Sequence, residues 1–563
     1  MERIAKHVLA VAVVGILVLL GLTGGALSQD VTYERLLNAD KEPHNWLTYY
    51  GNYGGWRYSP LKQINTSNVK KLVVKWAFQT GADQNFQVTP IVADGVMYIT
   101  NYQNQVFALD AATGKMLWRF SYKLPDPGKM PLLFFGSTSH RGVALAKGKV
   151  LLATLDAHLL ALDAKTGRSL WDVRVGDWEE GPGFTSPPLI VKDKAIIGMP
   201  PGEFPIRGHI DAYDVETGKL VWRFSPIPKP GEPGGETWDG DSWQFGCGAP
   251  VLPGTYDPEL NLVYFGTSNP CPAFDGEDRP GDNLHSNSII ALDPDSGSVK
   301  WSFQASPHDV WEFDAWETIL VDTEIQGKPA KALLQANKNG YLYALDRTDG
   351  RLLYAKPFVA RINWTRGLDA QGRPNLGVVP TPEGAFICPS NWGAKNWGHV
   401  AYSPQTELIY IPAMDMCMEA KVVRQKPRRG GLYFGGEGRY LREGAHGLVE
   451  ALDVRTGEIS WQYRTKYPMF GSVLATGGGL IFAGDPEGNF RAFDAANGKP
   501  LWSFNTGSGH RGSAISYAVG GKQYVAVPSG WGGVAMLFLP QTFPELEDAT
   551  SGSTLFVFGL FEE

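Results

Sequence analysis

Asp110-Ala-Ala-Thr-Gly114-Lys-Met-Leu-Trp118 sets a turn and an aromatic anchor at fixed offsets, with Gly four residues after Asp and Trp four after Gly. The same spacing returns at Asp163-Gly167-Trp171, Asp214-Gly218-Trp222, Asp293-Gly297-Trp301, Asp346-Gly350-Tyr354, Asp453-Gly457-Trp461 and Asp494-Gly498-Trp502, and a weaker eighth copy ends at Trp76. Asp and Gly close a tight hairpin turn, Gly supplying backbone angles that other residues avoid. The indole is large enough to wedge between neighbouring sheets. Each copy stands between apolar strand-like runs, and a period of about 40 to 55 residues with strands inside it is the signature of propeller blades. The expected fold is all-β: an eight-bladed β-propeller with tryptophan-docking repeats.

The repeats run nearly end to end through the 563 residues, which favours one radially symmetric domain over several smaller ones. The content of 67 Gly and 18 Trp suits an all-β chain with many tight turns and inter-sheet aromatics. A net charge of −7 offers no broad basic field of the kind nucleic acid needs, so that partner is set aside.

At the N-terminus Arg3 and Lys6 precede an apolar run from Val8 to Leu22 and then the small-residue stretch Ala26-Leu27-Ser28. That is the layout of a secretory signal peptide, and the run is short for a membrane span. The domain expectation is therefore a signal peptide over 1–28 and one propeller over 29–563, with a periplasmic mature chain that has no stable membrane span. Four cysteines, Cys247, Cys271, Cys388 and Cys417, permit three disulfide connectivities in an exported protein. No Cys-x-x-Cys-His occurs, so the chain carries no c-type haem motif of its own.

Two intervals between motif Asp residues are long, and function concentrates on such excursions from a rigid scaffold. One runs from Pro226 to Ser288 and is rich in Gly, Pro and Trp. The other separates Asp346 from Asp453, about two repeat lengths, and is read as a blade that has lost its motif, with strands at 400–402 and 408–412. Basic residues from Lys421 to Arg429 read as a solvated loop. The C-terminal run from Thr554 to Leu560 reads as a last strand that joins the first blade and leaves no free edge.

These repeats, together with Trp238-Asp-Gly-Asp-Ser-Trp, Gly266-Thr-Ser-Asn-Pro, Arg279-Pro-Gly-Asp-Asn and Cys388-Pro-Ser, resemble the quinoprotein alcohol dehydrogenases over nearly the whole mature chain. The resemblance implies pyrroloquinoline quinone and a calcium or lanthanide ion on the propeller axis. It implies oxidation of a primary alcohol to an aldehyde by hydride transfer to the quinone, with electrons passing to a separate cytochrome c. The positions matching the family's metal ligands are Glu203, Asn269 and Glu312, with Asp314 matching the extra acid of its lanthanide-using branch. Oxygen donors are what a hard cation selects, and a third carboxylate suits a trivalent ion. Glu312 also matches the proposed general base. Gln87, Arg141, Thr185, Gly202, Lys338, Asn396 and Trp397 match positions that hold the quinone. The resemblance pairs Cys388 with Cys417 and leaves Cys247 and Cys271 either bridged or free.

The chain departs from the family pattern at several of these places. Gln87 stands for a Glu, Glu312 for an Asp, Val251 for a stacking Trp, Phe470 for a cavity Trp, Pro200-Pro201-Gly202 for a small Ser-Gly-Ala turn, and Phe135 with Gly136 for a vicinal cysteine pair. Two rival readings follow from the departures: a cofactor-free propeller acting as a binding or scaffold protein, and a quinoprotein for a sugar or polyol.

Overall fold

The computed structural model describes residues 30–561 apart from 131–138, Pro182 and Pro201. The expected signal peptide, Phe135 and Gly136 lie outside the described residues. Among the described residues the strands form eight sheets of four or five strands and one two-stranded ribbon. The sheet carrying the first motif is representative. Its strands Ile91–Ala93, Val96–Thr100, Gln105–Asp110 and Met116–Ser121 follow one another as an antiparallel meander. Val96–Thr100 is buried throughout, as a strand covered on both faces should be, whereas Met116–Ser121 alternates between exposed and half-buried side chains at the rim.

The motif residues join one sheet to the next. Trp118 donates its indole N–H to the Ala164 carbonyl at 3.1 Å, Trp171 to Val215 at 3.1 Å, Trp222 to Pro294 at 3.0 Å, Trp301 to Arg347 at 3.2 Å and Trp461 to Ala495 at 3.0 Å. Tyr354 makes the same link with its hydroxyl, to Val454 at 2.7 Å. Each ring lies against the motif glycine of the following repeat, so a methyl group on Gly167 or Gly297 would stand 2.5 Å from an indole carbon. Those glycines have φ of 72°, in the left-handed region. Gly is therefore required twice over, by the turn and by the ring.

One sheet is assembled from both ends of the described chain. Leu72–Gln79 pairs antiparallel with Thr554–Leu560, which pairs in turn with Lys522–Ser529. The expected terminal strand is thus in place, beside the strand that carries Trp76. Trp502, on the strand Pro500–Asn505 of the preceding sheet, packs against Phe558 at 5.2 Å.

The long interval before Asp453 corrects one expectation. No separate four-stranded sheet lies there; the motif at Asp453 ends a strand, Gly436–Asp453, that extends an 18-residue arm against Leu408–Val422. The extra chain is spent on this lengthened hairpin and on the ribbon of Thr365–Leu368 with Pro374–Leu376. A long interval between motifs marks inserted length, and length alone does not distinguish a blade from a lengthened hairpin. Helical periodicity is scarce in the sequence, yet Val534–Thr542 forms a nine-residue helix. No helix among the described residues is long and apolar enough to cross a membrane.

Candidate functional site

In an antiparallel meander the start of the first strand and the end of the second lie at the same edge of the sheet. Most of the positions expected to act fall on those connections. Arg141 precedes Ala144–Ala146, Asn396 and Trp397 precede Ala401–Ser403, and Glu312 and Asp314 precede Ile319–Ile325. Glu203 follows Lys194–Met199, Asn269 follows Leu262–Gly266 and Lys338 follows Lys328–Ala336. All of them, with Gly202, line one cavity of about 520 Å³. Gln87 and Thr185 are buried but are not among its lining residues; the Gln87 amide donates to Asn85 at 2.7 Å, and Thr185 accepts from the Arg141 guanidinium at 2.5 Å.

The acidic end of the cavity is held by local geometry. Asp309 accepts the backbone N–H groups of Trp311 and Phe313, both at 2.8 Å, and so fixes the turn that presents Glu312. Glu312 itself has φ of 61°, a conformation that costs a non-glycine residue on the order of 1 kcal/mol. The Arg279 motif has a structural role, since Arg279 donates to the carbonyls of Pro272 and Asp309 and ties the first insertion to this turn. Glu312 is 9% exposed, Asp314 5% and Lys338 2%. The Lys338 ammonium bridges the two acids, at 3.2 Å from Glu312 and 2.8 Å from Asp314. The Asn391 amide donates to the other Glu312 oxygen, and the Asn269 backbone N–H donates to Asp314 at 3.0 Å.

Charge is unbalanced at this end. Burial, joined by the neighbouring Glu312 and Asp314, raises the pKa of Glu203; burial, opposed by Lys338, raises that of Glu312. Burial works against the Lys338 charge, but Asp314 and Glu312 outweigh it and hold the ammonium well above its ordinary range. The three acidic side chains do not close to within 4.8 Å of one another, so a cation there would draw in side chains that Lys338 now engages.

Arg141 and Arg511 line the same cavity and make no ion pair with these acids among the described residues. Their guanidinium carbons lie 4.6 and 5.5 Å from the Trp397 ring centroid. Val251 lines the cavity beside Trp316, whereas Phe470 packs behind it against Trp392 at 5.3 Å and is not a lining residue. Trp392, Tyr440 and Phe538 form an aromatic wall next to Glu312 and Asn391, with ring centroids 6.1 to 6.3 Å apart. Sequence reasoning missed Arg511, Trp316, Asn391 and this wall. Asn391 alone had a signal, as the residue that directly follows Cys388-Pro-Ser. Both disulfides are formed: Cys388–Cys417, and Cys247–Cys271, whose pairing was open. Each brings separated stretches of chain together near the site.

Tryptophan-docked four- and five-stranded sheets, with a cavity lined by both acids and guanidinium groups, are those of a β-propeller protein. The sequence profile of the PQQ glucose/ethanol/alcohol dehydrogenase β-propeller domain matches residues 46–356 and 463–525. The quinoprotein alcohol dehydrogenase PedH of Pseudomonas putida is 39% identical over 96% of this chain and 95% of its own. A lanthanide-dependent methanol dehydrogenase of Methylacidiphilum fumariolicum is 35% identical over 96% of this chain and 92% of its own. A solved europium-containing methanol dehydrogenase superimposes with a TM-score of 0.88 at 34% identity, covering 94% of this chain and 100% of that one. The chain belongs to the PQQ-dependent alcohol dehydrogenase family and is an enzyme of it.

Proposed function

We propose that this protein is a periplasmic quinoprotein that oxidises a primary alcohol to an aldehyde, built as one eight-bladed propeller over residues 29–563 behind a signal peptide at 1–28. The observation that carries the reading is the charge segregation of one cavity. Glu203, Glu312 and Asp314 gather around Lys338, whereas Arg141 and Arg511 of the same cavity make no ion pair among the described residues. Buried charges are retained where something pairs them. An anionic tricarboxylate quinone with a hard cation would pair both groups at once, so the residues present fit the group.

Glu203, Asn269, Glu312 and Asp314 would hold the cation through oxygen donors, and the third carboxylate favours a trivalent ion over calcium. The relatives named lanthanide-dependent and the europium-containing structure support that preference. Arg141, Lys338, Asn396 and Trp397 would contact the quinone, with Gln87, Thr185 and Gly202 in support. When bound, the quinone and its metal supply a two-electron acceptor and Lewis acidity. The protein supplies the rest. Glu312 takes the alcohol hydroxyl proton at a carboxylate oxygen, Asn391 fixes the other oxygen, and Trp392, Tyr440 and Phe538 exclude water from the substrate. The absence of a haem motif supports a separate cytochrome c as electron acceptor.

The test is reconstitution of metal-stripped protein with pyrroloquinoline quinone and either calcium or lanthanum, following quinone absorption and dye-linked alcohol oxidation. Turnover with lanthanum that is lost in Asp314→Ala supports the reading. No quinone binding with either metal overturns it.

A further inference from the structure

Arg511 stands just before the strand Ile515–Val519 and is 2% exposed. One guanidinium nitrogen donates to the Gly532 carbonyl and, at 3.4 Å, to Asn85; its Nε is buried with no hydrogen-bond partner. Arg141 is 6% exposed, bonds Thr185 and likewise leaves its Nε unpaired. Among the described residues neither makes an ion pair, and only the faces of Trp397 and, for Arg511, Phe470 at 5.9 Å soften their charge. Burial, reinforced by the like charge of Arg141, lowers the Arg511 pKa to about 9. A guanidinium buried without an anion needs its donors met by carbonyl oxygens, as those of Arg57 and Arg279 are, whereas Arg511 and Arg141 each keep an unpaired Nε.

We infer that Arg511 and Arg141, which share the Trp397 indole as a neighbour, form a two-arginine clamp that binds carboxylate groups of the quinone. The inference rests on the cofactor reading above and assigns to Arg511 a direct contact that reading left unassigned. Carboxylate is the anion a planar guanidinium recognises best, through paired N–H donors. The acids of the same cavity, Glu312 and Asp314, are engaged by Lys338 and make no ion pair with either arginine among the described residues. Arg511 is a binding residue with no part in proton transfer. Its two contacts, to the Gly532 carbonyl and the Asn85 side-chain amide oxygen, orient the group without neutralising it.

The experiment titrates metal-loaded wild type, Arg511→Gln and Arg511→Lys with pyrroloquinoline quinone and, separately, with its trimethyl ester, reading bound quinone by absorption and tryptophan quenching. Removing a charged hydrogen-bond partner should weaken binding of the free acid about 10- to 100-fold in Arg511→Gln, with partial recovery in Arg511→Lys. Binding of the ester should be the same in Arg511→Gln and wild type, which also reports an intact cavity. Free-acid binding unchanged in Arg511→Gln overturns the clamp while leaving the cofactor reading standing. Equal weakening for acid and ester overturns it too, because Arg511 would then act through packing. Failure of the wild type to bind the free acid overturns both.

Discussion

Replacing Gly297 by alanine would put a methyl group 2.5 Å from Cε3 and 2.7 Å from Cδ2 of Trp222, at a residue whose φ is 72°. The left-handed backbone alone costs an L-residue about 1–2 kcal/mol. The ring must also withdraw. Trp222 is buried and donates to Pro294 at 3.0 Å, so displacing it forfeits about 1 kcal/mol of hydrogen bonding and about 1–2 kcal/mol of apolar burial. The sum is about 3–5 kcal/mol. Gly148 is the control: its φ is 68°, but nothing lies within 4 Å of an added methyl, so Gly148→Ala should cost only the backbone share. Urea unfolding followed by tryptophan fluorescence measures both, the midpoints shifting at constant slope. With about 2.1 cal/mol/K of unfolding entropy per residue over about 530 residues, the melting temperature should fall about 3–5 °C for Gly297→Ala and about 1–2 °C for Gly148→Ala. Equal losses in the two variants would refute the argument that the indole seated on the motif glycine holds adjacent sheets together.

Glu312→Gln should reduce dye-linked turnover about 10²- to 10⁴-fold while quinone absorption titrates nearly as in wild type; turnover within tenfold of wild type would remove Glu312 from the role of base. If the aromatic wall contacts the substrate, kcat/KM should climb about fourfold per methylene from methanol to 1-butanol, and Phe538→Ala should flatten the series; a flat series in wild type would count against that contact. Glu450 is fully buried with one oxygen unpaired, and burial raises its pKa to about 8 from an ordinary 4.5. The folded protein then holds a proton that the unfolded chain has released, so this contribution to stability is full below about 4.5 and is lost as pH rises toward 8. Denaturation midpoints of Glu450→Gln should fall less steeply across that window than those of wild type, and parallel curves would contradict the shift.

The turn-and-tryptophan repeat was legible because its physics is local: an Asp-capped turn, a Gly at positive φ and a bulky ring lie within nine residues. The terminal strand was legible for a similar reason, as an apolar run at the end of a repeating chain. The positions of Glu203, Asn269, Glu312, Asp314 and Lys338 came from resemblance, and their placement at one cavity is a property of the meander, which returns the relevant connections to one edge. The length between Asp346 and Asp453 misled, because a hairpin extended to 18 residues and a missing blade consume similar stretches of chain. Arg511 and Phe538 had no signal at all. An arginine or a phenylalanine has no fixed meaning until its surroundings are known, and theirs are supplied by residues up to hundreds of positions away, such as Asn85 for Arg511 and Trp392 for Phe538. By itself the sequence determined the repeat, the strand content and the presence of oxygen donors in recognisable turns. Only the tertiary structure decided which charges are buried without partners, because desolvation depends on what surrounds a group in space and not on its neighbours along the chain.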